Sequence, residues 1–295
     1  MHILITGGTG FVGSALIDFF LQKNYSITIL SRKKSTTYES VRVIESINEI
    51  DINEKIDVII NLAGSPINKR WNEGYKANLI KSRLDVTQNI IALIKLLIHK
   101  PELLISASAI GYYGTQNNDY IDENSIYIDD FCHQLCDLWE KEALKSEKLG
   151  VRTCVARLGV VLGENGGALE QILPAFKLGI GGNISSGKQF FSWIHIEDVI
   201  NIFHFFITNK EQKGIYNLTS PTPVTNSEFT KTLGRVLNRP SFFTVPTFVI
   251  KMIFGEMGDK LLLNGAAIYP KKLLDNDYEF KFKTIDIALQ NIIDK

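Results

Sequence analysis

The sequence shows no excess of charge of either sign, since 32 lysine and arginine residues balance 32 aspartate and glutamate residues. Proteins that bind nucleic acids or membrane surfaces usually present a basic face, so this balance argues against both kinds of partner. Long apolar runs are missing too. The most apolar helical stretch, IIALIKLLI at 90–98, contains Lys95 and is too short to cross a bilayer. We therefore expect no nucleic-acid partner and no membrane partner.

Cysteine is equally scarce, with Cys132, Cys136 and Cys154 as its only occurrences. An odd number of cysteines does not make the disulfide framework of a small secreted domain. The first ten residues, MHILITGGTG, read as a β-strand and lack the basic segment and long apolar core of a secretion signal. The expected location is the reducing cytoplasm.

The first half of the chain alternates short β-like runs with helical stretches. Strands are predicted at 2–6, 26–30, 58–62, 103–107 and 152–157, and helices near 11–23, 73–98 and 131–149. Nearly continuous apolar strands separated by helices indicate a parallel sheet that is covered on both faces. The predicted fold is α/β, a Rossmann-type doubly wound parallel sheet formed by residues 1–165.

The pattern becomes irregular after residue 163, where glycine and proline cluster in GENGG, GIGG and SPTP. Helices are expected at 196–209, 225–237 and 284–294, with a strand at 214–218. We predict a smaller C-terminal α+β domain on the substrate side, spanning 166–295. Segments near 186–220 are expected to return to the first sheet.

The strand HILIT runs directly into GGTGFVG, in which Gly7, Gly10 and Gly13 are spaced G-x-x-G-x-x-G. The first glycine permits the turn, the second lets the backbone approach a pyrophosphate, and the third lets helix and strand pack closely. The N-terminus of the following helix offers N–H groups and a positive dipole end to phosphates. Dinucleotide binding is therefore predicted for Gly7, Thr9, Gly10, Phe11, Val12 and Gly13. The alternative is a glycine-rich turn without a ligand.

The end of the second strand indicates which dinucleotide is bound. An NAD site usually has Asp or Glu here, to hold the ribose 2′-hydroxyl. This chain has Ser31, Arg32 and Lys33 instead. Because a guanidinium suits a 2′-phosphate, the predicted cofactor is NADP(H). The alternative is that these residues form only a solvated loop.

At NLAG (61–64) and SASAIGYYG (106–114) the chain resembles the extended short-chain dehydrogenases/reductases, the group of the nucleotide-sugar epimerases. More narrowly, it resembles an atypical epimerase-like subfamily with an additional C-terminal region, here about 246–293. Matching stretches cover nearly the whole chain: RWN (70–72), KSR (81–83), LWEKEA (138–143), RLGVVLGENGGAL (157–169), GGNISSGKQFFSWIHIEDV (181–199), NLTSPTPVTNSEFT (217–230), VP (245–246), GE (255–256) and PKKL (270–273). Membership of a family does not by itself give the function.

For active members, the resemblance implies a serine, a tyrosine, and a lysine four residues after the tyrosine. The tyrosine exchanges a proton with the substrate oxygen, the lysine lowers the pKa of the tyrosine, and the serine hydrogen-bonds the substrate oxygen. Ser108 matches the serine, and Glu140 matches a glutamate four residues after the lysine. Counting back places Cys136 at the lysine and Cys132 at the tyrosine, so the acid and the cation are both replaced.

Other interpretations of the cysteine stretch FCHQLCDLWE (131–140) compete with this one. A zinc site needs four ligands, whereas Cys132, His133 and Cys136 give at most three, so no metal is expected. A redox pair would more typically be spaced C-x-x-C. Packing is the third interpretation, because Cys132, Cys136 and Trp139 share one helix face and buried cysteine behaves as a small apolar residue. If Cys132 faces the nicotinamide, it is a candidate weak acid.

Two further residues are candidates for the chemistry. Tyr112 matches the tyrosine that extended members use for substrate contact, and the alternative is that Tyr112 and Tyr113 pack the floor of the cleft. His195 in WIHIED is the other candidate, because the ordinary pKa of a histidine side chain lies near neutral pH. In such proteins, however, this segment often positions a helix. Glu197 and Asp198 are expected to cap that helix.

The resemblance adds cofactor contacts at strand ends and on one helix: Leu62, Ala63, Gly64, Asn78, Arg83 and Val160. The first three should lie against the adenosine and pyrophosphate, and Val160 should line the nicotinamide. Arg83 is also a candidate for binding an anionic substrate. For Asn78 and Arg83 the alternative is a surface hydrogen bond.

Two functions fit these observations. The first is an NADP(H)-binding oxidoreductase or epimerase with a displaced acid and an unknown small-molecule substrate, which Ser108 and the glycine loops near 159–187 favour. The second is a non-catalytic NADP(H) sensor or scaffold, which the two cysteines favour and which suits relatives associated with cell or plastid division. A homodimer is usual in the wider family, although no stretch of this sequence indicates its interface.

Overall fold

The fold centres on a parallel β-sheet. The computed structural model describes residues 1–32, 38–117, 120–164 and 166–294. Their strands are β1 (His2–Thr6), β2 (Ser26–Leu30), β3 (Arg42–Ile44), β4 (Val58–Asn61), β5 (Leu103–Ala109), β6 (Arg152–Leu158), β7 (Val160–Leu162), β8 (Gly182–Ile184), β9 (Phe190–Phe191), β10 (Trp193–His195), β11 (Gly214–Leu218), β12 (Val224–Thr225) and β13 (Phe243–Val245). Within the described ranges, seven strands form one sheet in the spatial order β11-β6-β5-β4-β1-β2-β3.

Helices flank the sheet and make up much of the C-terminal half. They are α1 (Phe11–Gln22), α2 (Glu73–Leu96), α3 (Phe131–Ala143), α4 (Gly167–Lys177), α5 (Ile196–Thr208), α6 (Asn226–Val236), α7 (Thr247–Phe254), α8 (Glu256–Leu261), α9 (Lys271–Asp275) and α10 (Ile285–Ile293). Short 3-10 helices occur at Ile47–Glu49, Ile110–Tyr113 and Leu144–Leu149. The last of these explains why α3 is shorter than the predicted helix, since the chain changes to 3-10 geometry at Leu144.

Alternating side chains of β1 enter two separate cores. Ile3 and Ile5 lie in the core that α1 and α5 cover. Leu4 lies in the core on the opposite face, beside Ile90 and Ile94 of α2. All five side chains are buried. Because strand side chains alternate, a continuously apolar strand is what a sheet covered on both faces requires. The predicted doubly wound α/β fold is confirmed.

The direction in which strands are added to the sheet reverses at β1. β2 pairs with β1 on one side and β4 pairs with it on the other, both in parallel. The chain segments that leave β1 and β4 therefore diverge and open a crevice at the carboxyl ends of the strands, the usual ligand position in such sheets. Gly7, Ser31, Leu62 and Ile110 each follow a strand end along this edge.

The C-terminal half adds one strand to the sheet and builds a second core. β11 pairs in parallel with β6 and forms the sheet edge. The remaining described strands pair two by two, as β10 with β7, β12 with β9, and β13 with β8. A core that includes Trp193, Phe229, Phe282 and Leu289 joins α4, α6 and α10. The domain boundary near 165 stays a prediction.

Candidate cofactor and active site

The loop after β1 is a tight turn that requires glycine at positions 7 and 13. Gly7 has a φ of +71°, and Gly10 donates its N–H to the carbonyl oxygen of Gly7 at 3.0 Å. A Cβ on Gly7 would lie 2.8 Å from the carbonyl carbon of Leu62, and a Cβ on Gly13 would lie 2.3 Å from the Gly7 oxygen. The loop therefore lies directly against both the end of β4 and the start of α1.

The N-terminus of α1 is open to an anion. Gly10 is its N-cap residue, so no described side chain accepts from the first N–H groups, and the first turn contains no acidic residue. Thr9 and Gly10 are exposed, whereas Phe11 and Val12 are partly buried. Uncapped N–H groups and the helix dipole together attract a phosphate. The residues present therefore fit the pyrophosphate of a dinucleotide.

The ring of Phe11 packs against the glycine-rich segment that follows β7 and so joins that segment to the loop. A Cβ on Gly166 would lie 2.3 Å from the Phe11 ring, and a Cβ on Gly163 or Gly167 would lie 2.8 or 2.9 Å from it. These three glycines leave the space that the ring fills. The glycine-rich segment thus has a packing role, because it holds the first residue of α1 in place.

Arg32 follows β2 on the side of the crevice that receives the adenosine in such folds. Its side chain is exposed, while Ser31 is partly buried and donates its backbone N–H to the carbonyl of Ile44 at 2.9 Å. The guanidinium is therefore accessible at the strand end where a ribose 2′-phosphate would lie. Lys33, the third residue predicted for this turn, lies outside the described residues.

A buried polar network fixes the backbone on the other side of β1. The Thr6 hydroxyl donates to Oδ1 of Asn61 at 2.7 Å and accepts from the N–H of Ala63 at 3.3 Å. Nδ2 of Asn61 donates to the hydroxyls of Thr87 at 2.9 Å and Ser106 at 3.3 Å. These bonds join β1, β4, β5 and α2 directly beneath the loop that was predicted to contact the cofactor.

Arg83 reaches from α2 over the end of β4. Its guanidinium carbon lies 2.9 Å from the position that a Cβ of Gly64 would take, and 5.1 Å from the centre of the Trp139 ring. Nη1 donates to the backbone oxygen of Leu79 at 3.1 Å. Burial lowers the pKa of Arg83. The side chain is thus partly buried between the end of β4 and Trp139, and its contact with a cofactor or an anionic substrate stays a prediction.

Asn78 and Val160 lie at the rim of the same edge. Asn78 is exposed and its Nδ2 donates to the hydroxyl of Ser65 at 3.0 Å. Val160 begins β7 shortly after β6 ends, and its N–H donates to the carbonyl of Ser192 at 2.9 Å. The described residues predicted to bind the cofactor are therefore gathered along one edge of the sheet, and their contact with a cofactor stays a prediction.

Ser108 is buried and already hydrogen-bonded. Its hydroxyl donates to Oε1 of Glu140 at 2.6 Å. Glu140 also accepts from Nε and Nη2 of Arg157, both at 2.8 Å. Glu140 and Arg157 are only 4% and 1% exposed. Because the single hydroxyl proton of Ser108 is directed at Glu140, this side chain presents only an acceptor to other partners.

Two tyrosines cover the buried ion pair. Nη1 of Arg157 donates to the hydroxyl of Tyr113 at 3.1 Å, and that hydroxyl donates to Oδ1 of Asn217 at 2.7 Å. Burial raises the pKa of Tyr113 to about 12. The centre of the Tyr112 ring lies 3.3 Å from Cζ of Arg157, and the ring packs edge-on against Tyr113 and His133. The Tyr112 ring thus has a packing role, and its role as an acid stays a prediction.

The two cysteines of α3 are buried. Cys132 packs with Trp71, Leu79 and Met257. Burial raises the pKa of Cys132 far above its usual range and raises the pKa of Cys136 to about 12. Such thiols stay protonated at neutral pH and are poor proton donors. Among the described residues, no group of three or more His, Cys, Asp or Glu side chains is arranged to hold a metal ion.

His195 caps helix α5. Its Nδ1 accepts from the N–H of Glu197 at 3.1 Å, and its ring stacks on Phe282 with the ring centres 3.7 Å apart. The prediction that Glu197 and Asp198 cap this helix is wrong, because His195 occupies the N-cap position. The carboxylate of Asp198 instead accepts the backbone N–H groups of Lys281 at 2.8 Å and Phe282 at 3.0 Å.

Sequence reasoning missed the polar chain through Arg157, Tyr113 and Asn217. One signal for it was present, since Arg157 lies within the apolar strand RTCVARL. A charge in a strand that is covered on both faces needs a partner of opposite charge. Glu140, noted only as a marker of register, is that partner.

Two family models match the chain in succession. The model described as the NAD dependent epimerase/dehydratase family matches residues 3–219, which include the glycine loop, the strand ends and Ser108. The chain belongs to this family. A domain of unknown function, DUF1731, matches residues 245–292. The additional C-terminal region predicted at about 246–293 is thereby confirmed.

Individual relatives cover nearly the whole chain. The Arabidopsis thaliana protein "Epimerase family protein SDR39U1 homolog, chloroplastic" is 38% identical over 99% of this chain and 87% of its own length. The Bacillus subtilis "Epimerase family protein YfhF" is 38% identical over 99% and 98%. The crystal structure of human epimerase family protein SDR39U1 (isoform 2) with NADPH superposes with a TM-score of 0.91, 32% identity and full coverage of both chains. The predicted cofactor, NADP(H), agrees with that of the human structure.

Location and assembly remain predictions for this chain. The A. thaliana relative is named as a chloroplast protein, so the expected cytoplasmic location has no support from that relative. No helix within the described ranges combines the length and the apolar character that a bilayer span requires. The homodimer expected from the wider family likewise stays a prediction.

Proposed function

We propose that the protein binds NADP(H) along the carboxyl edge of its sheet and acts as an oxidoreductase whose proton donor is displaced. The observation that carries this proposal is the loop after β1. There Gly7 and Gly13 leave no room for a side chain, and Gly10 leaves α1 uncapped. Arg32 suits the 2′-phosphate, and the NADPH of the human relative supports the same choice.

In this proposal each part of the crevice binds one part of the cofactor. Arg32 faces the adenosine ribose, and the N–H groups at the start of α1 bind the pyrophosphate. The nicotinamide half extends toward Gly64 and Val160, on the opposite side of β1. For Gly64 this proposal departs from the contact with adenosine and pyrophosphate that the resemblance implies, because β4 lies on the side of β1 opposite β2. When bound, the nicotinamide supplies or accepts a hydride. The substrate enters between the proposed dinucleotide domain, 1–165, and the smaller domain, 166–295.

Proton transfer is where this site departs from the pattern that the resemblance implies. Cys132 and Cys136 stand at the tyrosine and lysine positions, and burial keeps both thiols protonated. Ser108 already donates to Glu140. The product oxygen must therefore take its proton from Tyr112 or from water. We propose carbonyl compounds activated by a neighbouring electron-withdrawing group as substrates, because they depend least on a strong protein acid.

Oxidation of NADPH in the presence of a panel of activated carbonyl compounds tests the proposal. The wild-type protein is expected to oxidise NADPH with at least one member. Gly13→Val, which fills the space beside Gly7, is expected to be inactive with all of them. If NADPH binds to the wild type but no compound oxidises it, the oxidoreductase proposal is wrong.

A non-catalytic NADP(H) sensor or scaffold is the second candidate. The specific observation in its favour is that Ser108, Cys132 and Cys136 are all buried in contacts within the protein. This candidate predicts that NADPH and NADP bind while the panel stays unreactive. Binding of NADPH that changes the pattern of protease cleavage, without turnover, would support it.

A further inference from the structure

The guanidinium of Arg83 lacks the partner that a partly buried charge normally has. Its Nη1 donates to a backbone oxygen, that of Leu79, at 3.1 Å. Within the described ranges, no carboxylate lies within ion-pair distance of it. The side chain lies over Gly64, where even one Cβ would come within 2.9 Å of the guanidinium carbon. A cation held in this way has donors left for a ligand.

Trp139 brings a second unsatisfied donor to the same place. The side chain is 6% exposed, and in the described part of the chain its Nε1 has no hydrogen-bond partner. The Arg83 guanidinium lies over its ring at 5.1 Å. Buried donors are nearly always satisfied in folded proteins. Since both side chains can only donate, the group they suit is rich in acceptor oxygens.

The position of Arg83 relative to the sheet indicates which part of a dinucleotide it would meet. Gly64 follows β4, whereas Arg32 follows β2, and β1 lies between these two strands. The adenosine ribose of a dinucleotide lies at the end of β2 and its pyrophosphate at the loop after β1. A dinucleotide that continues across β1 therefore brings its nicotinamide half to the end of β4.

Cys136 explains why a cation can approach from α2. The thiol is buried beside Ser108 and Arg83, and the positive charge of Arg83 acts on it. A lysine at this position, as the resemblance implies, would bring a second positive charge next to the guanidinium. The small uncharged thiol removes that repulsion and leaves the space to Arg83.

We infer that Arg83 supplies from α2 the positive charge that a lysine on α3 supplies in the wider family, and that it binds oxygen atoms of the nicotinamide half of NADP(H). This inference rests on the proposed cofactor. It assigns the two arginines to opposite halves of one ligand, with Arg32 on the 2′-phosphate and Arg83 beyond the pyrophosphate. The ring of Trp139 packs against the guanidinium of Arg83.

Calorimetric titration with NADPH and with 2′,5′-ADP separates the two halves, because 2′,5′-ADP lacks everything beyond the adenosine and its phosphates. Arg83→Met is expected to weaken NADPH binding about 10- to 100-fold, the effect of losing hydrogen bonds from a charged group. Its affinity for 2′,5′-ADP is expected to stay within about twofold of the wild type, which also shows that the variant is folded. Lys81→Met, an exposed change on the same helix, is the matched control and is expected to leave both affinities unchanged.

A second variant tests whether a positive charge on α3 can replace the one that Arg83 supplies from α2. Adding Cys136→Lys to Arg83→Met is expected to recover most of the lost NADPH affinity, whereas Cys136→Lys alone is expected to weaken it through repulsion. Equal NADPH affinity in wild type and Arg83→Met overturns the inference, and so does parallel weakening of both ligands. If the wild type binds neither ligand, the proposed cofactor is wrong and the inference falls with it.

Discussion

Glu140 and Arg157 face each other in the interior and are joined by two hydrogen bonds, each 2.8 Å long. One residue comes from α3 and the other from β6. Ser108 extends the pair on one side and Tyr113 on the other, so a polar chain runs through the region where the resemblance implies a serine and a proton-donating tyrosine. Here these groups hold each other, and the polar chain stabilises the floor of the crevice.

Replacing Glu140 by glutamine is expected to destabilise the protein by about 3–5 kcal/mol, because it leaves the charge of Arg157 buried and unpaired. Urea unfolding followed by circular dichroism measures the effect. Asp137→Asn on the same helix is the matched control, since its ion-pair partner Lys141 is exposed and such a surface pair is worth about 1 kcal/mol or less. Equal losses of unfolding free energy in the two variants would show that the buried pair contributes no more to stability than the surface pair.

Gly166→Ala is expected to lower both stability and NADPH affinity, because the new Cβ would lie 2.3 Å from the Phe11 ring. Overpacking of this kind costs about 1–3 kcal/mol and would displace the first turn of α1. Thermal unfolding and calorimetric titration measure the two effects. Gly74→Ala is the control, because the new Cβ would lie at an ordinary 3.5 Å from the side-chain oxygen of Asn72. Adding Phe11→Ala to Gly166→Ala should recover stability, and failure to do so would contradict the packing role.

Stability is expected to fall as the pH rises from about 9 to about 12, in part because of Cys136. Burial raises the pKa of its thiol to about 12 from an ordinary value of 9.0. Between these values the unfolded chain releases the proton and the folded chain keeps it, so rising pH favours unfolding. Cys136→Ala is expected to show a flatter decline of the unfolding midpoint across this window. Parallel curves for variant and wild type would mean that burial does not raise the pKa of this thiol.

Much of the sheet follows from local sequence, because short apolar runs bounded by glycine or polar residues indicate buried parallel strands. β1, β2 and β11 occur at their predicted residues. β3 was not predicted, since Arg42–Ile44 is too short and begins with a charge. α4 was not predicted either, because it begins among glycines and contains Pro174, which hides the helical period.

The candidate site was also predictable only in part. The glycine loop and Arg32 are predictable because they are contiguous in sequence and follow strand ends. The contact of Arg83 with Trp139 and that of Phe11 with Gly166 join distant segments, and only the packed helices bring them together. The same is true of the pairing between Glu140 and Arg157. Sequence periodicity contains no information about which side chain of one helix meets which side chain of another.

Titration of one preparation with NADPH and with NADH tests the central claim most directly, namely that the edge from Arg32 to Arg83 is an NADP(H) site. We predict that the wild type binds NADPH at least about tenfold more tightly than NADH, because Arg32 adds charged hydrogen bonds to the 2′-phosphate. Arg32→Glu should remove this preference, whereas Lys23→Glu, an equal change of charge at an exposed position, should preserve it. Equal affinity of the wild type for both cofactors, or binding of neither, would contradict the account.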